Sequence, residues 1–356
     1  MRLLEVSDLT VSFPTADGIV RAVRGLSFGV DPGRTLGIVG ESGSGKSVAA
    51  LTLVRLTRGA DVSGTALFAG RDLLTLPEDE MRRVRGARIA IVFQDPLSSL
   101  HPQYRIGWQI AELIRAHQRV SRRIAHRRAV ELLGLVGIPQ PERRVDDYPH
   151  QFSGGMRQRV MIAMALALDP ALLIADEPTT ALDATVQAQI LDLLIRLQRE
   201  LGTALIMISH DLGVIAEVAD DVLVMYAGRA AEVADRRTAF YRPHHPYTLG
   251  LLASVPGPRP AAPSGVRSPL RPIPGQPPSL ITLPPGCAFA PRCRYAMDQC
   301  RVSEPGLLPV AGGLGHRSAC WLPADAVGTG EAPERERQRA AEAGRAAGPD
   351  ATGGAA

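Results

Sequence analysis

The chain has 356 residues, of which 45% are hydrophobic and only 4% aromatic, and a formal net charge of +4. That length accommodates two or three domains with cores of their own, while so few rings leave little to stack on single-stranded nucleic acid, and 40 basic residues scattered among 36 acids make a weak polyanion surface. No apolar run approaches the roughly 18 residues of a membrane-spanning helix, and the opening "MRLLEVSDLTVSF" alternates like a strand instead of reading as a secretory leader, so a soluble, cytoplasmic chain is expected.

From the N-terminus, "LLEVSDLTVSF", a "PTADG" turn and "IVRAVRGLSFGV" predict half-buried strands that stop at Asp31-Pro32-Gly33. "TLGIVG" is a short apolar strand running into a glycine loop, and "SVAALTLVRL" after it has helical spacing. "ARIAIVFQ" is another buried strand, ending at Gln94. From about residue 105 to 150 the chain turns helical and polar, with "IGWQIAELIRAHQ" and "RRAVELLGLVGI" amphipathic. The arginine-rich "HQRVSRRIAHRR" between them reads as a solvated helix face and not as a nucleic-acid patch, because no aromatic residues interleave. A helix ("MRQRVMIAMALAL"), a strand ("ALLIADEP"), a long helix ("ATVQAQILDLLIRLQREL") and a strand ("TALIMISH") follow. Such alternation implies a parallel sheet covered on both faces. "DVLVMYAGRAAEVA" predicts a closing hairpin turning at Ala227-Gly228. The segment 256–286 is dense in proline, a semi-rigid linker or an extended wrap. Four cysteines occupy 287–320, and from about 324 the chain lacks apolar periodicity and is expected to be disordered.

Lys46 is the only lysine among the 40 basic residues, and it stands in "GESGSGKS", Gly40 to Ser47. Gly40, Gly45, Lys46 and Ser47 fit G-x-x-x-x-G-K-[ST], with the strand before and the helix after that the pattern requires. The small residues Ser42, Gly43 and Ser44 let consecutive backbone N–H groups turn inward, and the helix aims its positive end at the same point. Lys46 is expected to reach the β- and γ-phosphates of a nucleotide, with the Ser47 hydroxyl on Mg²⁺. The retained lysine has a reason in shape: a compact ammonium enters a tight backbone nest, whereas a planar guanidinium wants bidentate partners. About 130 residues on, "LLIADEP" ends a strand in Asp176 and Glu177. In a parallel sheet ligands gather at the strand carboxyl ends. Asp176 would hold Mg²⁺, directly or through water, and Glu177 would orient or deprotonate the water attacking the γ-phosphate. The alternative is that the two acids merely cap the next helix.

On these motifs, residues 1 to about 235 resemble the ATP-binding subunit of an ABC transporter. "FSGGMRQRV" is similar to the signature loop of that family, with Phe152 and Met156 where leucine and glutamine are usual, and Ser153, Gly154 and Gly155 retained. Gln94 in "VFQDP", Asp183 in "ALD" and His210 in "SHD" match its Q-loop, D-loop and switch positions, and Phe13 its adenine-stacking aromatic. The resemblance implies an α/β, RecA-like P-loop NTPase core (1–235) with an N-terminal antiparallel β-subdomain and a helical insertion at about 98–165. It also implies that the Ser153–Gly155 helix end, itself an anion-seeking N-terminus, closes over ATP held by a second ATPase subunit, alike or different. Gln94 would lie near the Mg²⁺, and His210 would bond the γ-phosphate and hold the water in line with Glu177. Two transmembrane permease subunits would receive the helical insertion at the cytoplasmic face of the membrane, with an extracytoplasmic solute-binding protein acting indirectly and no nucleic acid.

"YRPHHPYTLGLLASVP" (241–256) resembles the C-terminal extension of ATPases that serve oligopeptide, dipeptide and nickel importers, placing a small extension at 236–323. His244 and His245 read as a packed turn, since no acid or cysteine lies nearby in sequence. Cys287, Cys293, Cys300 and Cys320 are separated by five, six and nineteen residues. In a cytosolic chain such a set points to a metal and away from disulfides. The absence of close pairs favours a [4Fe–4S] cluster, as held by some members of the subfamily, over zinc or free buried thiols. The expectation is therefore an ATP-hydrolysing motor for import of peptides or similar small solutes. The alternatives are a soluble ABC ATPase of DNA repair or translation, or the ATPase of an exporter or a nickel importer.

Overall fold

The computed structural model describes residues 2–180, 182–254, 272–311 and 315–323. Two sheets arise from two different residue patterns. β1 (Leu4–Thr15) and β2 (Gly18–Val30) alternate buried and exposed side chains, with a bulge at Asp8 (φ 49°) re-phasing the first strand. With β4 (Asp61–Phe68) and β5 (Arg71–Asp72) they form an antiparallel sheet in the order β2-β1-β4-β5. β4 and β5 were not legible beforehand, because in β4 only Ala66 and Phe68 are buried and no apolar rhythm marks the strand.

The second sheet is built from short runs buried throughout or nearly so: β3 (Thr35–Val39), β6 (Ile89–Val92), β7 (Leu172–Asp176), β8 (Ala204–Ser209) and β9 (Asp221–Tyr226). These pair in parallel in the order β9-β3-β8-β7-β6. Side chains on opposite faces enter different cores. Ile206 and Ile208 of β8 face the N-terminal sheet with Leu4, Leu26 and Ile38, while Leu205 and Met207 face the helices. Those helices include Ile106–His117, whose Ile106, Ile110 and Ile114 share a buried stripe, and Arg122–Leu135, whose Arg122, Arg123 and Arg127 are exposed as a solvated face.

The hairpin from β9 to β10 (Arg229–Asp235) turns at Ala227 (φ 46°) and Gly228 (φ 80°), the positive values that a two-residue turn needs. β11 (Leu308–Pro309) and β12 (Arg317–Ser318) then extend the same sheet, β12 lying against β10. The C-terminal part is thus joined to the main sheet by backbone pairing. Over residues 272–286 the proline-dense stretch runs as an extended wrap: the Leu280 carbonyl accepts from the Arg21 N–H at 3.1 Å, and Ile273 and Leu283 pack on the core. The rest of that stretch and the tail from 324 lie outside the described residues.

Glu232 of β10 is wholly buried and organises the extension. Its carboxylate accepts the N–H groups of His244 (2.6 Å) and His245 (3.1 Å) and lies 2.7 Å from His316 Nε2. Burial works against the anion, yet His316 and the two amides hold Glu232 below the usual carboxylate range. The histidine pair is a packed turn, as expected, but it does have an acidic partner, brought in from β10. His245 accepts from the Tyr247 N–H at 3.0 Å, and burial pushes its imidazole down to about 4 from 6.5, against an opposing pull from Glu232. A histidine held neutral in the fold contributes stability that is full above pH 6.5 and declines as the pH falls toward 4. Urea unfolding should therefore show His245 costing roughly 2 kcal/mol between about pH 7.5 and pH 5. His245→Asn, which keeps an acceptor for Tyr247, should lose correspondingly less over that interval. An identical pH dependence in the two proteins would contradict this.

Candidate functional site

β3 is followed by the turn 40–45 and the helix Lys46–Leu53. Two glycines are required by neighbouring backbone: a Cβ on Gly40 would stand 2.2 Å from the Met225 carbonyl oxygen, and one on Gly45 2.2 Å from that of Ala22. Gly43 and Gly45 adopt φ of 79° and 97°, curling the loop around its own N–H groups. Lys46 is buried, and its Nζ donates to the carbonyls of Gly40 (2.7 Å) and Glu41 (3.0 Å). Burial lowers its pKa, while the charges of Glu177, Asp176 and Glu41 oppose the shift. Ser44 Oγ is buried with no hydrogen-bond partner.

The two acids come from the end of β7, which is separated from β3 by β8. Asp176 ends β7 and accepts the Ser47 hydroxyl at 2.9 Å. Burial raises its pKa, and the Ser47 hydroxyl and Asp176 carboxylate form an oxygen donor set that would fit Mg²⁺. Glu177 is held in the left-handed region at φ 47°, a strained setting for a residue with a side chain. Three side chains meet its Oε2: Gln94 Nε2 at 3.2 Å, Thr180 Oγ1 at 2.9 Å and His210 Nδ1 at 3.2 Å. The structure therefore unites Gln94, Glu177 and His210, as their motifs suggested. Gln94 bonds to the carboxylate of Glu177, beside the Ser47–Asp176 pair. Thr180 carried no signal in the sequence.

The other motif residues are placed separately. Ser153 caps the helix Gly154–Ala165, its Oγ accepting from the Met156 N–H, and Ser153 and Gly154 are exposed, so this helix end points outward. Gly155 is fixed by packing, since a Cβ there would lie 2.6 Å from Val186 Cγ1. Phe152 is buried and Met156 packs on the core, which accommodates both departures from the usual signature. Asp183 caps the helix Ala184–Leu201, accepting from the N–H groups of Thr185 and Val186. Phe13 is half-buried on β1.

The four cysteines are free thiols, Cys300 buried and the others half-buried, and Cys287 N–H donates to the Cys300 carbonyl at 2.8 Å. Burial, then the neighbouring thiols, pushes Cys293 up to about 12 and Cys320 up to about 11, against opposing backbone N–H donors. Among the described residues no group of three or more His, Cys, Asp or Glu side chains is arranged to hold a metal ion.

Residues 23–180 match the family model described as ABC transporter, and residues 231–300 the one described as oligopeptide/dipeptide transporter, C-terminal region. The chain is similar to the oligopeptide transport ATP-binding protein OppD of Bacillus subtilis, 53% identical over 90% of this chain and 89% of the relative. OppD of Haemophilus influenzae is 48% identical over 91% and 98%. The dipeptide transport ATP-binding protein DppD of Bacillus subtilis is 49% identical over 90% and 95%. Among solved structures, a dimeric ATP-binding cassette in a post-hydrolysis state bound to ADP and Pi superposes with a TM-score of 0.60 at 27% identity, covering 66% of this chain and 99% of that one.

The buried nest around Lys46 is sized for an ammonium. Lys46→Arg should weaken ATP binding by more than about ten-fold despite keeping the charge, measured by nucleotide titration. Wild-type affinity in that variant would show that charge alone suffices.

Proposed function

The chain belongs to the ABC transporter ATP-binding family, in its oligopeptide and dipeptide transport branch, and on that footing we propose that it binds and hydrolyses ATP to power import of di- or oligopeptides or similar small solutes. The observation that carries the chemistry is the convergence of Gln94, Thr180 and His210 on Glu177 beside the Ser47–Asp176 pair. The loop N–H groups and Lys46 bind the phosphates, exchanging the Gly40 and Glu41 carbonyls for phosphate oxygens. Ser47 and Asp176, with Gln94, hold Mg²⁺, which when bound offsets the charge on the phosphates. Glu177 orients a water and takes its proton as the water oxygen bonds to the γ-phosphorus. The bond to the β-phosphate oxygen breaks, and ADP and phosphate leave. His210 holds the water and the γ-phosphate in line, and Phe13 stacks on adenine.

We also assign the outward-facing Ser153–Gly155 helix end to the nucleotide of a second ATPase subunit, with Asp183 beside it. A groove of about 230 Å³ lined by Val54, Leu56, Phe93, Met161 and Met164 lies between the phosphate-loop helix and the helical insertion. Leu56 and Phe93 are exposed there, and we propose that the groove receives a segment of one of the two permease subunits. Among the described residues no helix is long and apolar enough to cross a membrane; permease partners would place the chain as a peripheral subunit at the cytoplasmic face. We divide the chain into an ATPase part (1–235), an extension (236–323) and a tail (324–356). The match of residues 231–300 to the peptide-transporter C-terminal region favours this reading over DNA repair, translation or export.

Glu177→Gln should leave ATP binding intact and cut hydrolysis about a hundred-fold or more, trapping an ATP-bound dimer visible by size-exclusion chromatography. Turnover at the wild-type rate would remove Glu177 from its role. For the extension we infer that Cys287, Cys293, Cys300 and Cys320 hold a [4Fe–4S] cluster. Support comes from the chemistry of four half-buried or buried free thiols in one short stretch, the ligand type of iron–sulfur clusters. A cluster distributes its cysteines over separate irons and does not need them around a single ion, unlike zinc. Protein purified without oxygen should contain iron and acid-labile sulfide, both lost in Cys293→Ser. Zinc without iron would instead support a single-ion site.

A further inference from the structure

Glu41 occupies a position that the phosphate-loop pattern leaves open to any residue, yet each of its polar groups is engaged. Its N–H donates to Tyr247 Oη at 2.8 Å. Its carbonyl accepts from Lys46 Nζ and from the Ser44 N–H at 3.2 Å. Its carboxylate receives both arms of Arg292, at 2.7 and 2.9 Å. Tyr247 and Arg292 come from the C-terminal extension and are buried. Arg292 is itself fixed from behind: its Nε donates to the Pro274 carbonyl at 2.9 Å, and one terminal nitrogen to Tyr226 Oη at 3.3 Å. Glu41, then Tyr226, hold this guanidinium charged despite its burial.

The electrostatics give the arrangement a purpose. Glu41 adjoins Gly40, and its charge is felt at the buried ammonium that would meet the phosphates. An unpaired carboxylate there, half-buried beside the loop, would repel a polyphosphate held by the same loop. A planar fork in bidentate contact cancels the charge and fixes the side chain. We propose that Arg292 is a positioning residue for the phosphate loop, neutralising Glu41 so that the C-terminal extension sets how tightly its own chain holds ATP. This inference rests on the ATP-binding reading given above.

The test compares binding of ATP, ADP and AMP by the full chain and by Arg292→Gln, Glu41→Gln and the double variant, using equilibrium dialysis, with Lys46→Ala as the site control. Arg292→Gln should weaken ATP binding roughly ten-fold, ADP less and AMP least, because repulsion scales with phosphate charge. The double variant should recover most of the loss, and Glu41→Gln alone should bind ATP more tightly than wild type. The proposal is overturned if Arg292→Gln binds ATP normally, or if it loses affinity equally for all three nucleotides without repair in the double variant, the mark of a packing role. Should Arg292→Gln fail to fold, Glu41→Gln decides, and weakened ATP binding in it overturns the proposal. Wild-type protein that binds no ATP would bring down the underlying reading as well. ATP binding that is lost in Lys46→Ala but unaffected in Arg292→Gln would bring down this inference alone.

Discussion

The nucleotide site depends on how closely the loop 40–45 lies against foreign backbone. Gly40 sits under the Met225 carbonyl of β9, and Gly45 under the Ala22 carbonyl of β2, each too near for a Cβ. Further backbone bonds tie the same region together: Gly228 N–H donates to the Ser44 carbonyl at 3.0 Å, and Arg24 N–H to the Gly228 carbonyl at 2.8 Å. The loop is therefore seated on both sheets at once. The hairpin between β9 and β10 takes up the loop's outer surface, leaving N–H groups other than those of Glu41 and Ser44 to face inward. Preorganisation of this kind is what lets a few dipoles and one ammonium hold a polyphosphate.

The acids arrive by the same logic. β8 lies beside β3 and β7 beside β8, all in parallel register, so Asp176, Glu177 and His210 emerge on the loop's side of the sheet, at the strand carboxyl ends. Glu177 is turned into the left-handed region, with its N–H held by the Ile208 carbonyl at 3.0 Å. That twist puts its carboxylate among Gln94, Thr180 and His210, at a local cost that the surrounding packing sustains.

Much of this was legible in the sequence because local patterns encode it. Strand, glycine loop and helix read directly around Lys46, and Asp176 and Glu177 stand out as acids ending an apolar run. The hairpin at Ala227-Gly228 and the solvated arginine face were legible for the same reason. What could not be read were contacts between residues far apart in the chain. Glu232 reaches His316 across 84 positions and Arg292 reaches Glu41 across 251, and no spacing announces either. The histidine pair shows the limit well: it is a packed turn, but the acid that holds it comes from β10, 12 residues before His244. β4 failed differently, since a mostly exposed strand has no periodicity to detect.

These long-range contacts change what the extension is. It pairs with β10 through β12, wraps β2 through Leu280, and holds Glu41 through Tyr247 and Arg292. Glu304 adds an ion pair to Arg24 of β2 at 2.8 Å and another to Arg229 of β10 at 2.7 Å. A module attached only for docking would need one such anchor. Here the anchors run from the main sheet to the N-terminal sheet and end on the phosphate loop, and those directed at Glu41 are buried, where breaking one partner leaves an uncompensated group and costs most. The extension and the phosphate loop accordingly share one packed interface.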